Sequence, residues 1–394
     1  MIISASRRTD IPAFYSEWFE RRVQEGFLYV RNPMNAHQVS EVSLAPEVVD
    51  CIVFWTKNPI PLMGRLGSFE AFPYYFQLTL TGYGRDVEPN VPDKKGVLIP
   101  AFKQLSERIG PERVIWRYDP IAFTPKYTAE YHLHAIGEIA RMLDGCTEKC
   151  VISFVDGYTY NHKALAEMGS EDVRDDQLLE FCKQLAETVR AHGMSVATCA
   201  ERVDLDAAGI EHNACVDARL IERISGRTIR VSKDKSQRLE CGCFASIDVG
   251  SYNTCGAGCR YCYARRSDKA TERNLLAYDP TSPMLCDALG PDDVVHKREM
   301  RSLFVRQDRG HSSDGRRWLC RYWLLCLLFA KAGKRGPRER YYQQSSFASC
   351  YAWRPACFHA GRRLRVSWPI TRLLFGRALR VDEAYLMLVM SGYS

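Results

Sequence analysis

An α/β fold, a full or partial (β/α) barrel, is what this sequence predicts for residues 1–307, and three observations predict it. Short apolar runs rich in Val, Ile, Phe and Tyr recur along the chain, as buried parallel strands do. Between them lie amphipathic runs with helical spacing. Polar residues gather just after the apolar runs, where the C-terminal rim of a barrel carries its sites. The size agrees: 394 residues, 46% hydrophobic and 26% charged, suffice for one barrel-sized domain or two smaller ones.

Taken in order, the expected strands are Ile2–Ser6, Cys51–Thr56, Tyr75–Leu80, Val114–Tyr118, Val151–Val155 and Ser195–Thr198, with a further one at Ser246–Val249. Three helices are expected between them. Leu98, Ala101, Phe102, Leu105 and Ile109 share one face, ended by Gly110-Pro111. Ala135, Ile136, Ile139, Met142 and Leu143 share another, behind a Thr128 cap, and Leu178, Phe181, Cys182, Leu185 and Val189 form the third. A doubly wound sheet satisfies the same alternation, and periodicity does not separate the two. The rim residues would be Arg7, Arg8, Thr9 and Asp10; Lys57 and Asn58; Arg117, Tyr118 and Asp119; Asp156; and Glu201. Trp55, Tyr83, Trp116 and Tyr158 are core or pocket walls before they are base-stacking platforms.

The formal net charge of +7 conceals an asymmetry. From Arg309 onward the chain holds 16 Lys and Arg against 4 Asp and Glu, and residues 1–308 hold 38 against 43. The main domain is therefore net acidic, and nucleic-acid binding, which needs clustered Lys and Arg, is not expected of it. Residues 308–394, with 14 Arg and 2 Lys, lack strand–helix rhythm and are expected to be a basic tail, disordered, appended or frameshift-derived. Cys320, Cys326, Cys350 and Cys357 there lack compact ligand spacing. No apolar run reaches the roughly 18 residues of a membrane span. The start, Met1-Ile-Ile-Ser, lacks a secretory pattern. Sixteen cysteines in such a chain read as cytoplasmic thiols, some of them metal ligands.

The chemistry concentrates in Cys255-Gly-Ala-Gly-Cys259-Arg-Tyr-Cys262. Three thiolates at C-x3-C-x2-C spacing suit three irons of a [4Fe–4S] cluster, leaving the fourth iron open. An open iron can chelate the amino and carboxylate groups of S-adenosyl-L-methionine (SAM) and pass one electron to its sulfonium, releasing a 5′-deoxyadenosyl radical. Gly256 and Gly258 suit a loop wrapped tightly on a cube, and Tyr261 would pack near the adenine. Zinc, the competing ligand, needs a fourth donor and is usually served by two closely spaced pairs. A second set, Cys199, Cys215, Cys241 and Cys243, could complete a second Fe–S cluster, although its long gaps equally suit buried core thiols. Cys51, Cys146, Cys150, Cys182 and Cys286 are expected to be packing or surface residues.

At these residues the sequence resembles an uncharacterised bacterial and archaeal family, a domain of unknown function with a radical-SAM-like cysteine cluster near its C-terminal end. The matching segments are Ser4–Pro12, Val30–Pro33, Val53–Pro59, Trp116–Pro120, Ile152–Asp156 and Cys241 through Ala264. The resemblance covers residues 1–307 and implies an end soon after Gln307. More distantly, Thr9-Asp10-Ile-Pro12, Thr56-Lys57-Asn-Pro59 and Glu88-Pro89 are similar to turns of the spore-photoproduct-lyase group of radical SAM enzymes, in the same order. There the cysteine segment comes first, so the resemblance implies a circularly permuted radical SAM barrel. It implies Thr9 and Asp10 as contacts to the SAM amino group, Arg117 as a partner of its carboxylate, and Lys57 as a contact to ribose or substrate. Arg265-Arg-Ser-Asp replaces the Gly-Gly-Glu-like segment that follows the cysteines in such enzymes. A one-electron donor such as ferredoxin or flavodoxin is implied as partner. The expectation is a radical SAM-type enzyme acting on an unknown substrate. The alternatives are an Fe–S or electron-transfer module that does not cleave SAM, and a radical SAM nucleic-acid repair or modification protein.

Overall fold

The computed structural model describes residues 1–171 and 173–305. They belong to a unit spanning Met1–Gln307, and the expectations for the basic segment 308–394 lie outside the described residues. The strands are β1 (Ile2–Ala5), β2 (Phe27–Asn32), β3 (Asn35–Ser43), β4 (Cys51–Thr56), β5 (Tyr74–Thr79), β6 (Val114–Ile121), β7 (Lys149–Phe154), β8 (Ser195–Thr198), β9 (Glu211–His212), β10 (Ile247–Asp248) and β11 (Val294–Lys297). The helices are α1 (Ile11–Phe14), α2 (Ser16–Glu25), α3 (Ile60–Met63), α4 (Ile99–Ile109), α5 (Ala129–Met142), α6 (His162–Glu167), α7 (Asp175–Arg190), α8 (Ala218–Ser225) and α9 (Asp268–Leu276). Each of the seven expected strands is present, with ends shifted by no more than three residues, and the three expected helices are α4, α5 and α7.

Eight strands form one sheet in the order β10-β1-β4-β5-β6-β7-β8-β9. Every pairing in it is parallel. From β1 to β9 the order never reverses, so right-handed crossovers lay successive helices on one and the same face. A doubly wound sheet would reverse and carry helices on both faces. The arrangement is thus barrel-like. Among the described residues the end strands β9 and β10 are not paired with each other, so the ring is not closed by hydrogen bonds.

The two-residue period of the strands sorts the side chains. Ile3, Ile52, Phe54, Phe76, Trp116 and Ile152 pack on the helix side, against Phe19 of α2, Phe102 of α4, Ile136 of α5 and Phe181 of α7. The alternate positions Ile2, Val53, Tyr75, Ile115 and Val151 form a second apolar cluster with Val216, Ile221 and Phe304. The segment around α8 therefore crosses the inner face and fills its lower part. Further along β1, β5, β6 and β7 the inner positions turn polar: Ser4, Gln77, Arg117 and Ser153 are all buried there. The apolar floor and polar rim follow from where the hydrophobic alternation stops.

Local signals set the helix ends. Thr128 caps α5, its side chain accepting the Tyr131 N–H, and Gly110 ends α4 at φ 97. Thr128→Ala is expected to cost about 1 kcal/mol, readable as a lower urea midpoint at unchanged slope.

Sequence reading missed a separate sheet, β11-β3-β2. In the nine-residue β3 only Val39 and Val42 are buried, and β11 is exposed throughout. Neither strand shows the half-buried alternation that marks a strand in sequence.

Candidate functional site

A cavity of about 570 Å³ opens at the C-terminal ends of the parallel strands. All seven candidate ligands line it: Cys255, Cys259 and Cys262, and Cys199, Cys215, Cys241 and Cys243. Thr9, Asp10, Lys57, Arg117 and Tyr261 line it too. The twelve residues singled out in sequence come from β1, β4, β6, β8 and the loops around β9 and β10, and the fold brings them to one place.

The loop after β10 holds the first cysteine set. Asp248 fixes its start: Ser6 Oγ (2.6 Å), Ser4 Oγ (3.0 Å) and the Arg7 N–H (2.8 Å) all donate to this carboxylate. That clasp ties the end of β10 to the end of β1. Gly250 lies so close to β1 that a Cβ there would stand 2.0 Å from Ser6 Oγ. Neighbouring loops grip the rest. Asn90 Nδ2 donates to the Gly256 carbonyl (2.8 Å), the Arg260 N–H to the Val87 carbonyl (3.0 Å), and Asn161 Nδ2 to the Tyr261 carbonyl (2.9 Å). Gly258 takes φ +70, which favours glycine. Burial pushes all three thiols up; Cys259 reaches about 12 despite the pull of Lys57. Thiols so shielded are poor nucleophiles, whereas metal coordination removes their protons outright.

The second set forms a chain of neighbours. Cys215 Sγ lies 3.4 Å from Cys199 Sγ, and Cys243 neighbours both Cys215 and Cys241. The contact with Cys243 brings Cys241 down to about 7. Three donors approach these sulfurs: Arg117 Nη1 to Cys215 at 2.9 Å, Asn213 Nδ2 to Cys215 at 3.3 Å, and the Val216 N–H to Cys243 at 3.4 Å. Among the described residues, no three His, Cys, Asp or Glu side chains are grouped to hold a single metal ion. All twelve described cysteines are free of disulfides, and Cys51, Cys150, Cys182 and Cys286 are buried packing residues.

The remaining expected residues have these places. Asp10 caps α1, one oxygen accepting the Ala13 N–H (3.0 Å) and the other the Lys57 N–H (2.7 Å). Burial outweighs these bonds and raises it to about 6. Thr9 Oγ1 is buried without a hydrogen-bond partner among the described residues, as are Arg7 Nη2 and Trp55 Nε1. Arg117, 4% exposed, pairs with Asp119 at 2.6 Å and stacks on Trp55, so it stands by the second cysteine set. Lys57 pairs with Glu88 at 2.7 Å, and Tyr261 donates its hydroxyl to the same carboxylate. Of the four rim aromatics, Trp55 and Tyr158 line the cavity. Trp116 is on the helix side, its Nε1 bound to the Leu80 carbonyl at 2.9 Å.

Sequence reading missed the roles of Glu88, Asp248 and Arg7. The available signal was a carboxylate inside an apolar strand for Asp248 and the Glu-Pro turn for Glu88.

Fold and site together define a barrel-like α/β protein with seven thiols, the buried Arg117 and several half-buried cations around one cavity. The chain belongs to the family described as a domain of unknown function (DUF1848), whose model matches residues 2–264. That span takes in every cysteine of the cavity. No curated protein matches the chain.

Proposed function

We propose that the chain is a radical SAM-type enzyme whose Cys255, Cys259 and Cys262 hold a [4Fe–4S] cluster. One observation carries the reading: the C-x3-C-x2-C loop lines a cavity that also holds unpartnered polar atoms of Thr9, Arg7 and Trp55. Thiolate ligands fit iron, and unpartnered buried donors fit a polar ligand beside it, because leaving them unpaired costs about 1–3 kcal/mol each. When bound, the cluster and SAM supply a 5′-deoxyadenosyl radical to an unknown substrate, with the electron coming from a donor of the ferredoxin or flavodoxin kind.

The chain's own residues then have distinct tasks. Asp248 and Asn90 position the cysteine loop. Thr9 Oγ1 faces the ligand as a free donor or acceptor. Asp10, with both oxygens on backbone N–H groups, fixes the turn that carries Thr9 and adds negative charge toward an ammonium. Lys57 reaches the ligand from the Glu88 pair. A circularly permuted radical SAM barrel is supported by the pairing of β10, which leads into the cysteine loop, with β1 at the sheet edge. The free thiols among the described residues favour a cytoplasmic setting. Among the described residues no helix is long and apolar enough to cross a membrane.

Anaerobic reconstitution with iron and sulfide, followed by SAM and dithionite, is expected to yield 5′-deoxyadenosine, and Cys255→Ala to yield none. Wild-type protein that gives no more product than Cys255→Ala would leave an Fe–S protein without SAM cleavage.

A further inference from the structure

We infer that the cavity takes a substrate bearing a carboxylate, and that the spare N–H groups of Arg7 and Trp55 hold that carboxylate. The carboxylate site itself stands on the geometry alone. That its occupant is the substrate rests on the radical SAM reading above.

Two of the buried N–H groups without a partner belong to side chains in contact. Trp55, near the end of β4, has the Arg7 guanidinium 5.3 Å from its ring centre and the Arg117 guanidinium at 5.2 Å. Arg7 Nη2 and Trp55 Nε1 are both buried without a partner among the described residues, and both side chains line the cavity. Adjacent spare donors on a cavity wall are how a pocket fixes the orientation of one polar group.

The charges around the cavity single out Arg7. Lys57 is paired with Glu88 at 2.7 Å, Arg117 with Asp119 at 2.6 Å and Arg238 with Asp156 at 2.5 Å. Arg7 approaches only Asp234, at 3.8 Å, which is beyond hydrogen-bond distance. Asp234 is itself occupied by the Ser236 hydroxyl at 2.6 Å. Asp248, beside the turn, already accepts from Ser4, Ser6 and the N–H groups of Arg7 and Gly250. Arg8, a lining cation without an ion pair among the described residues, lies over the Tyr252 ring at 5.2 Å. The Arg7 side chain is only 15% exposed. A guanidinium held so far from water without a close counter-charge is costly, and an anion at its free N–H gains a charge-assisted hydrogen bond.

The donor count selects the anion. A carboxylate carries one charge and two oxygens, which match one spare guanidinium N–H and one indole N–H. A phosphate dianion brings three oxygens and a second charge, and the other guanidinium at the Trp55 ring is already neutralised by Asp119. A neutral hydroxyl would leave Arg7 unmatched. SAM also has a carboxylate, but in the radical SAM reading the open iron at the Cys255 loop takes it. The Trp55 site adjoins the second cysteine set instead, through Arg117, whose Nη1 lies 2.9 Å from Cys215 Sγ. The carboxylate here therefore belongs to a second molecule.

The test titrates acetate into the full chain before any iron is added and follows the Trp55 indole N–H by nuclear magnetic resonance. The chain has seven Trp, so the resonance missing from Trp55→Phe assigns it. Acetate is expected to shift this resonance saturably, and chloride at the same concentration is not. Arg7→Met should weaken acetate binding about tenfold or more. The absence of a saturable shift, a shift that chloride reproduces, or tighter binding of inorganic phosphate than of acetate overturns the carboxylate site. If Arg7→Met does not fold, the wild-type titrations decide by the same three results. The source is tested after reconstitution, in protein that forms 5′-deoxyadenosine. An unchanged acetate midpoint with SAM bound supports the substrate assignment, and competition by SAM overturns it. Acetate binding in a chain that forms no 5′-deoxyadenosine would leave the carboxylate site standing and remove only the radical reading.

Discussion

Glu88→Ala is expected to destabilise the protein by about 3–5 kcal/mol, the usual cost of removing one partner from a buried ion pair. Glu88 is 2% exposed. Lys57 Nζ lies 2.7 Å from one oxygen and Lys94 Nζ 2.5 Å from the other. Thr81 Oγ1 stands 3.0 Å from both, and the Tyr261 hydroxyl also donates. Removing the carboxylate leaves two ammonium groups facing each other with little access to water. Burial alone would raise Glu88, but the two lysines outweigh it and bring it to about 2. Its folded value is thus below the unfolded one. The stabilisation is complete above about pH 4.5 and fades as pH falls toward about 2. Glu88→Gln/Lys94→Met, which removes one of the stranded cations, should recover about half of the loss of Glu88→Gln alone. Urea unfolding at pH 7 checks both. A Glu88→Ala cost under about 1 kcal/mol, the level of an exposed pair, would show the triad to be solvent-screened.

The same triad shows what sequence could and could not disclose. The C-x3-C-x2-C loop was legible because its ligands are close in sequence and the spacing is itself the signal. The strands were legible because Val, Ile and Phe runs bounded by polar ends have few other solutions. Lys57 was identifiable as a strand-end cation, but its bond to Glu88 was not, since Lys57, Glu88, Lys94 and Tyr261 meet only after the chain has folded. Arg117, expected at the cavity, lines it, but its contact with Cys215 at 2.9 Å was not readable from the sequence. A side chain's rim position can be read from the period of its strand, but its neighbours depend on which loop crosses the inner face. That crossing segment includes α8, whose Leu220, Ile221 and Ile224 between the Asp217 cap and Gly226 mark a helix, but nothing in that pattern says which face of the sheet it covers. The hairpin β2–β3 failed for a different reason: it covers little of the core, so no alternation was required of it.

The second cysteine set sits between these cases. Cys241-Gly-Cys243 is a local signal, whereas Cys199 and Cys215 are single residues whose relevance depends on topology. Sequential parallel strands bring the ends of β8 and β9 together, and Cys199 and Cys215 follow those two strands. The chain then returns to β10 beside β1 and carries Cys241 and Cys243 past the same opening. A barrel-like order is what converts gaps of 16 and 26 residues into one wall of thiols.

His132 gives the second large effect, a loss of about 3 kcal/mol between neutral pH and about pH 4. The ring, on α5, is fully buried among Tyr83, Tyr118, Phe123, Tyr127 and Tyr131. Its Nε2 faces the Ala122 carbonyl at 3.2 Å, and its Nδ1 faces the Tyr118 hydroxyl at 2.8 Å. The carbonyl can only accept, so Nε2 carries the hydrogen and Nδ1 accepts from Tyr118. This neutral tautomer satisfies both nitrogens. A proton on Nδ1 would force the Tyr118 hydroxyl to reverse and would place a cation among aromatic rings without a carboxylate partner. Burial therefore lowers His132 to about 4, against a small opposing pull from the Ala122 carbonyl. The unfolded chain binds this proton near pH 6.5, so the stabilisation is whole above that value and is lost as pH falls to about 4. Below it the Glu88 arm takes over, which separates the two groups in one titration. Buried Asp10, raised to about 6, gains stability over the same fall in pH, so the His132 loss is read as the difference between wild type and His132→Phe in urea unfolding between pH 7 and 4. The ring's own proton resonance should not titrate above about pH 5; a midpoint near 6.5 would mean that the ring is solvated and the aromatic cage open.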